Sequence, residues 1–350
     1  LTGNDAIGGA DDRFFYLSNI GLNNTGQGYH FGTNMTETSG ITSISRYANE
    51  DISWELSKKW NVGLEAGLWH FVNIMADYFI EDRSNILMNR SSVPATMGLQ
   101  SALRSNVGAA HSEGIESSLD FNKVVSKDFW VSARANFTYV KSHYTKFDEP
   151  DYGYWWLSWV GLPLGQQTGY VAERLFIDQA DIDNSPKQSF GPVMPGDIKY
   201  KDINEDGVIN NLDIVPIGYS STPNVEYGLG LSTGFHNFDI SLFFQGTSQS
   251  SFFIDPKKTA PFVNTNVNDR QGNNVMLKAY ADSYWSESRR DNYAIWPRLS
   301  SELVDNNTQT STWWLRDGSY FRLKTAEFGY TFDGKLTRKI RIERLRLYFN

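Results

Sequence analysis

The sequence predicts an all-β fold: an antiparallel transmembrane β-barrel, or a segment of one. Three observations carry this prediction. Apolar and polar residues alternate with a period of two over long stretches. Those stretches run roughly 11–15 residues, where soluble strands average about 5–6 and a tilted membrane-crossing strand needs about 9–11. The connections between them alternate between short and long, as the turns and loops at the two rims of a membrane barrel do.

The first strand, 54–68, shows the pattern most clearly. Its even positions are Trp54, Leu56, Lys58, Trp60, Val62, Leu64, Ala66 and Leu68, apolar but for Lys58. Its odd positions are Glu55, Ser57, Lys59, Asn61, Gly63, Glu65 and Gly67. One face of such a strand meets an apolar medium and the other meets water. The alternation returns at Phe129, Val131, Ala133, Ala135, Phe137 and Tyr139, and again at Val225, Tyr227, Leu229, Leu231, Thr233 and Phe235. Eight strands are expected, at 54–68, 71–82, 112–122, 129–142, 223–236, 238–249, 318–333 and 341–350. The short connections are 69–70, 123–128, 237 and 334–340, and the long ones are 83–111, 143–222 and 250–317. Eight strands would close only a small barrel, for which loops of this length are oversized. A segment of a larger barrel fits better, and barrels of about 22 strands are the plugged kind.

Composition agrees. Aromatic residues make up 15% of the 350 residues and there are 29 glycines, a mixture that favours strands and turns. No run of 18 apolar residues occurs, so no transmembrane helix is expected, which leaves a barrel open. The net charge of −8 argues against a nucleic-acid surface. The absence of cysteine excludes disulfides, thiol catalysis and cysteine-zinc sites.

The stretch KDINEDGVINNLD, Lys201 to Asp213, has the spacing of a calcium loop. Counting Asp202 as the first position, Asn204 is third, Asp206 fifth, Gly207 sixth, Val208 seventh, Asn210 ninth and Asp213 twelfth. A hard cation takes six to eight oxygens, and such a loop supplies them from side chains and from the carbonyl at position seven. Ca²⁺ is the expected cofactor, and Mg²⁺ is the other hard cation these donors admit. Aspartate replaces the usual glutamate at position twelve. Pro192, Pro195 and Pro216 block the helices that would flank the loop in an EF-hand. The alternative is a polar turn that binds nothing.

Trp155, Trp156 and Trp159 fall in one long connection, and Trp285, Trp296, Trp313 and Trp314 in another. The first three, with Trp285 and Trp296, are candidate substrate-stacking residues. Loop packing or an aromatic girdle at the membrane edge is the alternative, and Trp313 and Trp314, just before a strand, suit a girdle best. GLGLSTG, Gly228 to Gly234, lacks the spacing and the helix of a dinucleotide loop and reads as glycines on the wet face of a strand. The five histidines, His30, His70, His111, His143 and His236, form no metalloprotease pattern and read as turn or rim residues. No nucleophile–base arrangement stands out, so no enzyme is expected.

Ordered stretches of the chain resemble one family, the SusC/RagA-type TonB-dependent outer-membrane transporters of Bacteroidetes. They include NEDISWELSKKWNVGLEAGL, DYFIEDRSNIL, HSEGIESSLDF, GLPLGQQTGYVAERLFIDQADI, PGDIKYKDINEDGVINNLDIVPIG, YWSESRRDNYAIWPRLS and WWLRDGSYFRLKTAEFGYTF. The resemblance implies that residues 1–350 are the C-terminal part of a barrel, with a plug domain before it and the last strands after it. It implies a Gram-negative outer membrane, a SusD-like surface lipoprotein over the long extracellular loops, and energy from TonB–ExbB–ExbD. The implied activity is import of oligosaccharides or peptides. Two alternatives stand at this stage: a secreted, calcium-stabilised β-protein that binds or hydrolyses glycans, and a passive porin.

Overall fold

A computed structural model describes residues 2–4, 14–263, 274–332 and 341–350. The expected turn at 334–340, and the ends of the strands beside it, fall outside the described residues in whole or in part. Among the described residues nine strands form one sheet, numbered here in chain order. They are β1 (Thr2–Asn4), β2 (Glu55–Leu68), β3 (Val72–Asn89), β4 (Arg104–Ser126), β5 (Phe129–Lys146), β6 (Val225–Phe235), β7 (Phe238–Ser248), β8 (Tyr320–Thr331) and β9 (Arg346–Phe349). Each strand is hydrogen-bonded to its neighbours in sequence, so the sheet is a meander.

The register keeps like with like. Across β2 and β3, Trp60 faces Ile80, Val62 faces Tyr78, Leu64 faces Ala76 and Leu68 faces Val72. Across β6 and β7, Leu229 faces Phe244 and Leu231 faces Leu242, while Ser232 faces Ser241 on the other side. A slip of one residue would exchange the two faces, so the alternation itself fixes the pairing. The apolar face is bare: Trp60 is 74% exposed, Val62 68% and Leu64 64%. An apolar face this continuous needs an apolar solvent. The β2–β3 connection runs from Trp69 to Phe71, one residue longer than expected, and places both Trp69 (φ 51) and His70 (φ 61) in the left-handed region, with Phe71 N–H donating to Leu68 O (3.3 Å).

Several elements depart from the sequence expectation, among them β5, which runs on to Lys146, and β9, which begins only at Arg346. β3 and β4 run past the expected ends at 82 and 112, and the connection between them shrinks from 83–111 to 90–103. The ladder continues there through mostly half-covered residues, with Gly108 and Ala110 buried, so the pairing persists where the alternation fades. Before residue 54, where no strand was expected, Asn19–Phe31 and Glu37–Arg46 pair as a separate hairpin. Its asparagines, glycines and threonines mask the period.

The chain divides into two compact units, Leu1–Asp120 with Thr138–Leu164, and Phe121–Phe137 with Gly165–Asn350. In the second, segments 165–222 and 250–317 share a core of their own. Leu175, Ile198, Tyr200, Ile209, Trp285, Trp296 and Trp314 are buried together. Backbone bonds knit the two segments: Leu175 N–H donates to Asn292 O (2.9 Å), Tyr170 N–H to Thr310 O (2.9 Å) and Arg298 N–H to Gly196 O (3.0 Å).

A buried polar network lies inside this core. Asp197, fully buried, meets the Arg298 guanidinium at 2.7 Å. It also accepts from Met194 N–H and Asn307 Nδ2, each at 2.8 Å. Ile198 N–H donates to Asn307 Oδ1 (2.8 Å), Tyr200 N–H to Gln188 Oε1 (2.7 Å) and Tyr200 O–H to Asn306 O (2.7 Å). Burial pushes the Asp197 carboxyl up, and Arg298 with the amide donors opposes that push. Removing one partner of a buried pair leaves the other without compensation. Asp197→Ala should therefore destabilise this loop core by about 3 kcal/mol or more. Denaturant unfolding followed by tryptophan fluorescence checks this, and a loss well under about 1 kcal/mol contradicts it.

Candidate cation loop and aromatic sites

Residues 202–213 form a closed loop held by its own side chains. Glu205 (φ 59) and Gly207 (φ 85) both adopt left-handed backbone, which turns the chain sharply twice within three residues. Gly207 N–H donates to Asp202 Oδ2 (2.8 Å) and Val208 N–H to Asp206 Oδ1 (2.8 Å). Asn204 Nδ2 donates to Asp206 Oδ2 (2.9 Å). Asp213 is fully buried. Its two oxygens accept from Ile203 N–H and Asn210 N–H, each at 2.8 Å, and so close the loop at its base. Asn210 Oδ1 accepts from Leu212 N–H (2.8 Å), completing a capping box over the turn Asn211–Asp213.

The donor set is all oxygen, which suits a hard cation rather than a transition metal. The Asp202 Oδ1 atom is buried and has no hydrogen-bond partner. A lone buried carboxylate oxygen costs free energy unless something positive meets it. Asp202, Asn204, Asp206 and the Val208 carbonyl are therefore the first-choice ligands. Asn210 Oδ1 and Asp213 Oδ2 each accept one bond and keep a lone-pair direction, whereas Asp213 Oδ1 also accepts from Asn204 N–H (3.5 Å). Among the described residues, no three His, Asp or Glu side chains converge as a metal cluster. An ion here would rely on asparagine and carbonyl oxygen as well.

The loop feeds directly into the core. Val208–Ile209 pairs in parallel with Lys187–Gln188, and Lys187 N–H donates to Gly207 O (3.0 Å). Ile209 is fully buried beside Tyr170 and Tyr200. Tyr170 O–H donates to Asn211 Oδ1 (3.3 Å), and its pKa is pushed up to about 12 by burial and then by the Asp213 charge.

The tryptophans separate into two kinds. Trp155 is 78% exposed and stands edge-on to Trp156 at 6.0 Å. Trp156 stacks on Tyr154 with ring centres 4.8 Å apart. Trp159 packs against Phe147 and Tyr144. Glu149 fixes this turn by accepting from Ser158 O–H (2.5 Å) and Trp159 N–H (2.8 Å). Trp285 and Trp296, by contrast, lie in the loop core at 6% and 7% exposure. Trp296 packs between Tyr280 (4.5 Å) and Trp314 (5.1 Å). Gly196 (φ +86) lies so close to Trp285 that a Cβ there would meet the ring at 2.3 Å. These two rings hold the core together in this conformation and offer no free face to a sugar. Trp314, 1% exposed, is likewise a core residue here and not a girdle residue. Sequence reasoning missed Tyr154, whose stacking partner sits two residues away, and the buried network around Asp197, whose members are more than a hundred residues apart.

Trp155→Ala should leave stability within about 0.5 kcal/mol of wild type, as exposed substitutions do. Trp296→Ala should cost about 3–5 kcal/mol. Thermal unfolding of the two variants distinguishes the roles, and equal losses would contradict the assignment.

Comparison with known proteins gives the following. The family profile described as "TonB dependent receptor-like, beta-barrel" matches residues 18–253. TonB-dependent receptor P3 of Formosa agariphila is 23% identical over 318 residues, covering 87% of this chain and 30% of that protein. TonB-dependent receptor SusC of Bacteroides thetaiotaomicron is 23% identical over 345 residues, covering 95% of this chain and 31% of that protein. The chain thus spans about a third of the length of these relatives. The structure of the RagAB peptide transporter superposes with a TM-score of 0.67 at 19% identity, covering 99% of this chain and 35% of that one. At that identity the superposition speaks for the fold.

Proposed function

The chain belongs to the TonB-dependent receptor β-barrel family and lies in the outer membrane, and from that premise we propose that it is the C-terminal part of an active importer. The observation that carries this reading is the division of the chain between its two ends. A sheet with one bare apolar face carries long connections: segments 165–222 and 250–317 share a core with its own buried network, and the connection after β5 carries exposed aromatic surface at Trp155. The work of such a protein is binding and gating, with no covalent step. A secreted β-protein would have no use for the apolar face, so the soluble glycan-binding alternative falls.

The cargo we propose is an oligosaccharide, captured beneath a SusD-like lipoprotein that covers the long connections. Trp155, Trp156 and Tyr154 supply stacking surface for sugar rings, with Trp159 behind them. SusC-type relatives support this reading, and the RagAB transporter, whose cargo is peptide, supplies the other arm of the test. TonB–ExbB–ExbD would act on a plug outside this stretch of chain. In the full-length protein, labelled oligosaccharide uptake should stop when the proton gradient is collapsed, and a surface lipoprotein should co-purify from native membranes. Uptake that ignores the uncoupler would indicate a passive porin, and uptake of peptide alone would move the cargo to the RagAB class.

The loop 202–213 is proposed as a structural Ca²⁺ clip, with Asp202, Asn204, Asp206 and the Val208 carbonyl as ligands and Asn210 and Asp213 completing the set. Its support is the oxygen-only donor set and the partnerless Asp202 Oδ1. Binding there would fix Val208–Ile209 and so the core behind it. Ca²⁺ at a hundred times its Kd would then stabilise the loop core by about 2.7 kcal/mol. EDTA should speed proteolysis at 201–213 in wild type and leave Asp202→Ala/Asp206→Ala unaffected. Equal cleavage rates with and without chelator in wild type would end this proposal.

A further inference from the structure

One cluster lies outside everything above. His111 on β4 and His143 on β5 face each other across the strand pair, with ring centres 5.3 Å apart and ring planes at 47°. The His111 Nδ1 atom is 2.7 Å from Asp82 Oδ1 on β3. All three belong to the first compact unit. They are not legible as a group in the sequence, because residues up to 61 positions apart cannot be read as neighbours without the register: Asp82, His111 and His143 come together only through the meander.

We infer that His111 and His143 form a binding site for a divalent transition-metal ion, with Asp82 as the residue that orients His111. The first argument is geometric. With a metal–nitrogen bond of about 2.0–2.1 Å, an imidazole centre lies about 3.2 Å from the ion, and two such rings at a tetrahedral angle stand about 5.2 Å apart. The observed 5.3 Å matches that separation. The second is the hydrogen bond to Asp82. It ties the Nδ1 proton of neutral His111 to a carboxylate, which leaves the Nε2 lone pair as the ligand, the arrangement that ligating histidines use. The third is availability. His111 keeps a quarter of its side-chain surface exposed, and neither nitrogen of His143 has a hydrogen-bond partner among the described residues.

Charge permits an ion here. By strand alternation the same face carries Lys58 on β2, the register partner of Asp82 on β3, with Glu113 on β4 and Lys141 on β5, two cationic and two anionic groups. Glu113 accepts from the Tyr78 hydroxyl at 3.1 Å. No third protein ligand converges on the pair among the described residues, so water completes the coordination. Imidazole pairs suit Zn²⁺, Ni²⁺, Co²⁺ or Cu²⁺ and exclude Ca²⁺ and Mg²⁺, so this site is chemically separate from the oxygen-lined loop. An ion there would cross-link β4 to β5 just beyond the apolar stretch Trp60–Leu68 and its partners.

The test uses the full-length, untagged protein in detergent, stripped with EDTA and held in excess Ca²⁺ so that the oxygen loop does not compete. Zn²⁺ titration against a chromophoric chelator should show one equivalent in wild type and in His236→Gln. That equivalent should vanish in both His111→Gln and His143→Gln, with the barrel's heat-modifiable electrophoretic migration retained. Asp82→Asn should weaken binding about 10–100-fold. An unchanged titration in either histidine variant, or no Zn²⁺ bound by wild type below 100-fold excess, overturns the site. Should the variants fail to fold, Co²⁺ in wild type decides: an intense four-coordinate d–d band supports the site, and its absence refutes it.

Discussion

Backbone hydrogen bonding in hydrocarbon is the constraint on which the rest depends. No water is there to satisfy an N–H or a carbonyl, so every strand that crosses must be paired along both edges. Among the described residues the meander meets that demand for the strands between its two ends, each bonding to the next in sequence. The side chains then follow. One face is free to be uniformly apolar, as Trp60, Val62 and Leu64 are, because it faces lipid and needs no partner protein. The other carries serines, glycines and charges such as Asp239, Glu327 and Arg346, which join in an ion triad across β7, β8 and β9.

The loop core answers a different problem. It lies outside the sheet and has to keep two long connections in one conformation. Apolar burial alone would hold them loosely. The Asp197–Arg298 pair and the amides of Gln188, Asn306 and Asn307 specify the arrangement, since each buried polar atom accepts one geometry only. The loop 202–213 continues the same logic on its rim. Asp213 closes the base with its own carboxylate, and Ile209 carries the loop's conformation into the aromatic cluster of Tyr170, Phe190 and Tyr200.

Much of the sheet was legible because a membrane strand writes its environment into every second residue. Residues 54–68, 129–142 and 223–236 were placed to within a few positions for that reason. The same rule explains the misses. Arg83–Asn89 continues β3 where both faces are polar or partly covered, so the period carries no information. The loop at 202–213 was legible as a tight polar turn through its spacing, since the bonds that close it are local. The tryptophans were legible only as aromatic: nothing in the sequence distinguishes Trp155, left in the open, from Trp296, enclosed by Tyr280 and Trp314. Exposure there is decided by contacts with distant segments, and the same distance hid the neighbours of Asp197.

The knitting of segment 165–222 to segment 250–317 also orders the chain's assembly in time. Gln188 bonds to Asn306 across a separation of 118 residues, and the β6–β7 hairpin lies between them. Within the sheet, β2–β3, β4–β5 and β6–β7 close short turns, while β5–β6 and β7–β8 close the long connections, so those hairpins have less entropy to overcome than the pairings between them. The two halves of the loop core lie on either side of β6 and β7 in the chain, so the entropy of bringing them together falls once those strands have paired. Its rate of formation is therefore tied to that hairpin, and a chain stalled before β8 would carry residues 165–222 with their apolar side chains uncovered and half of their core missing.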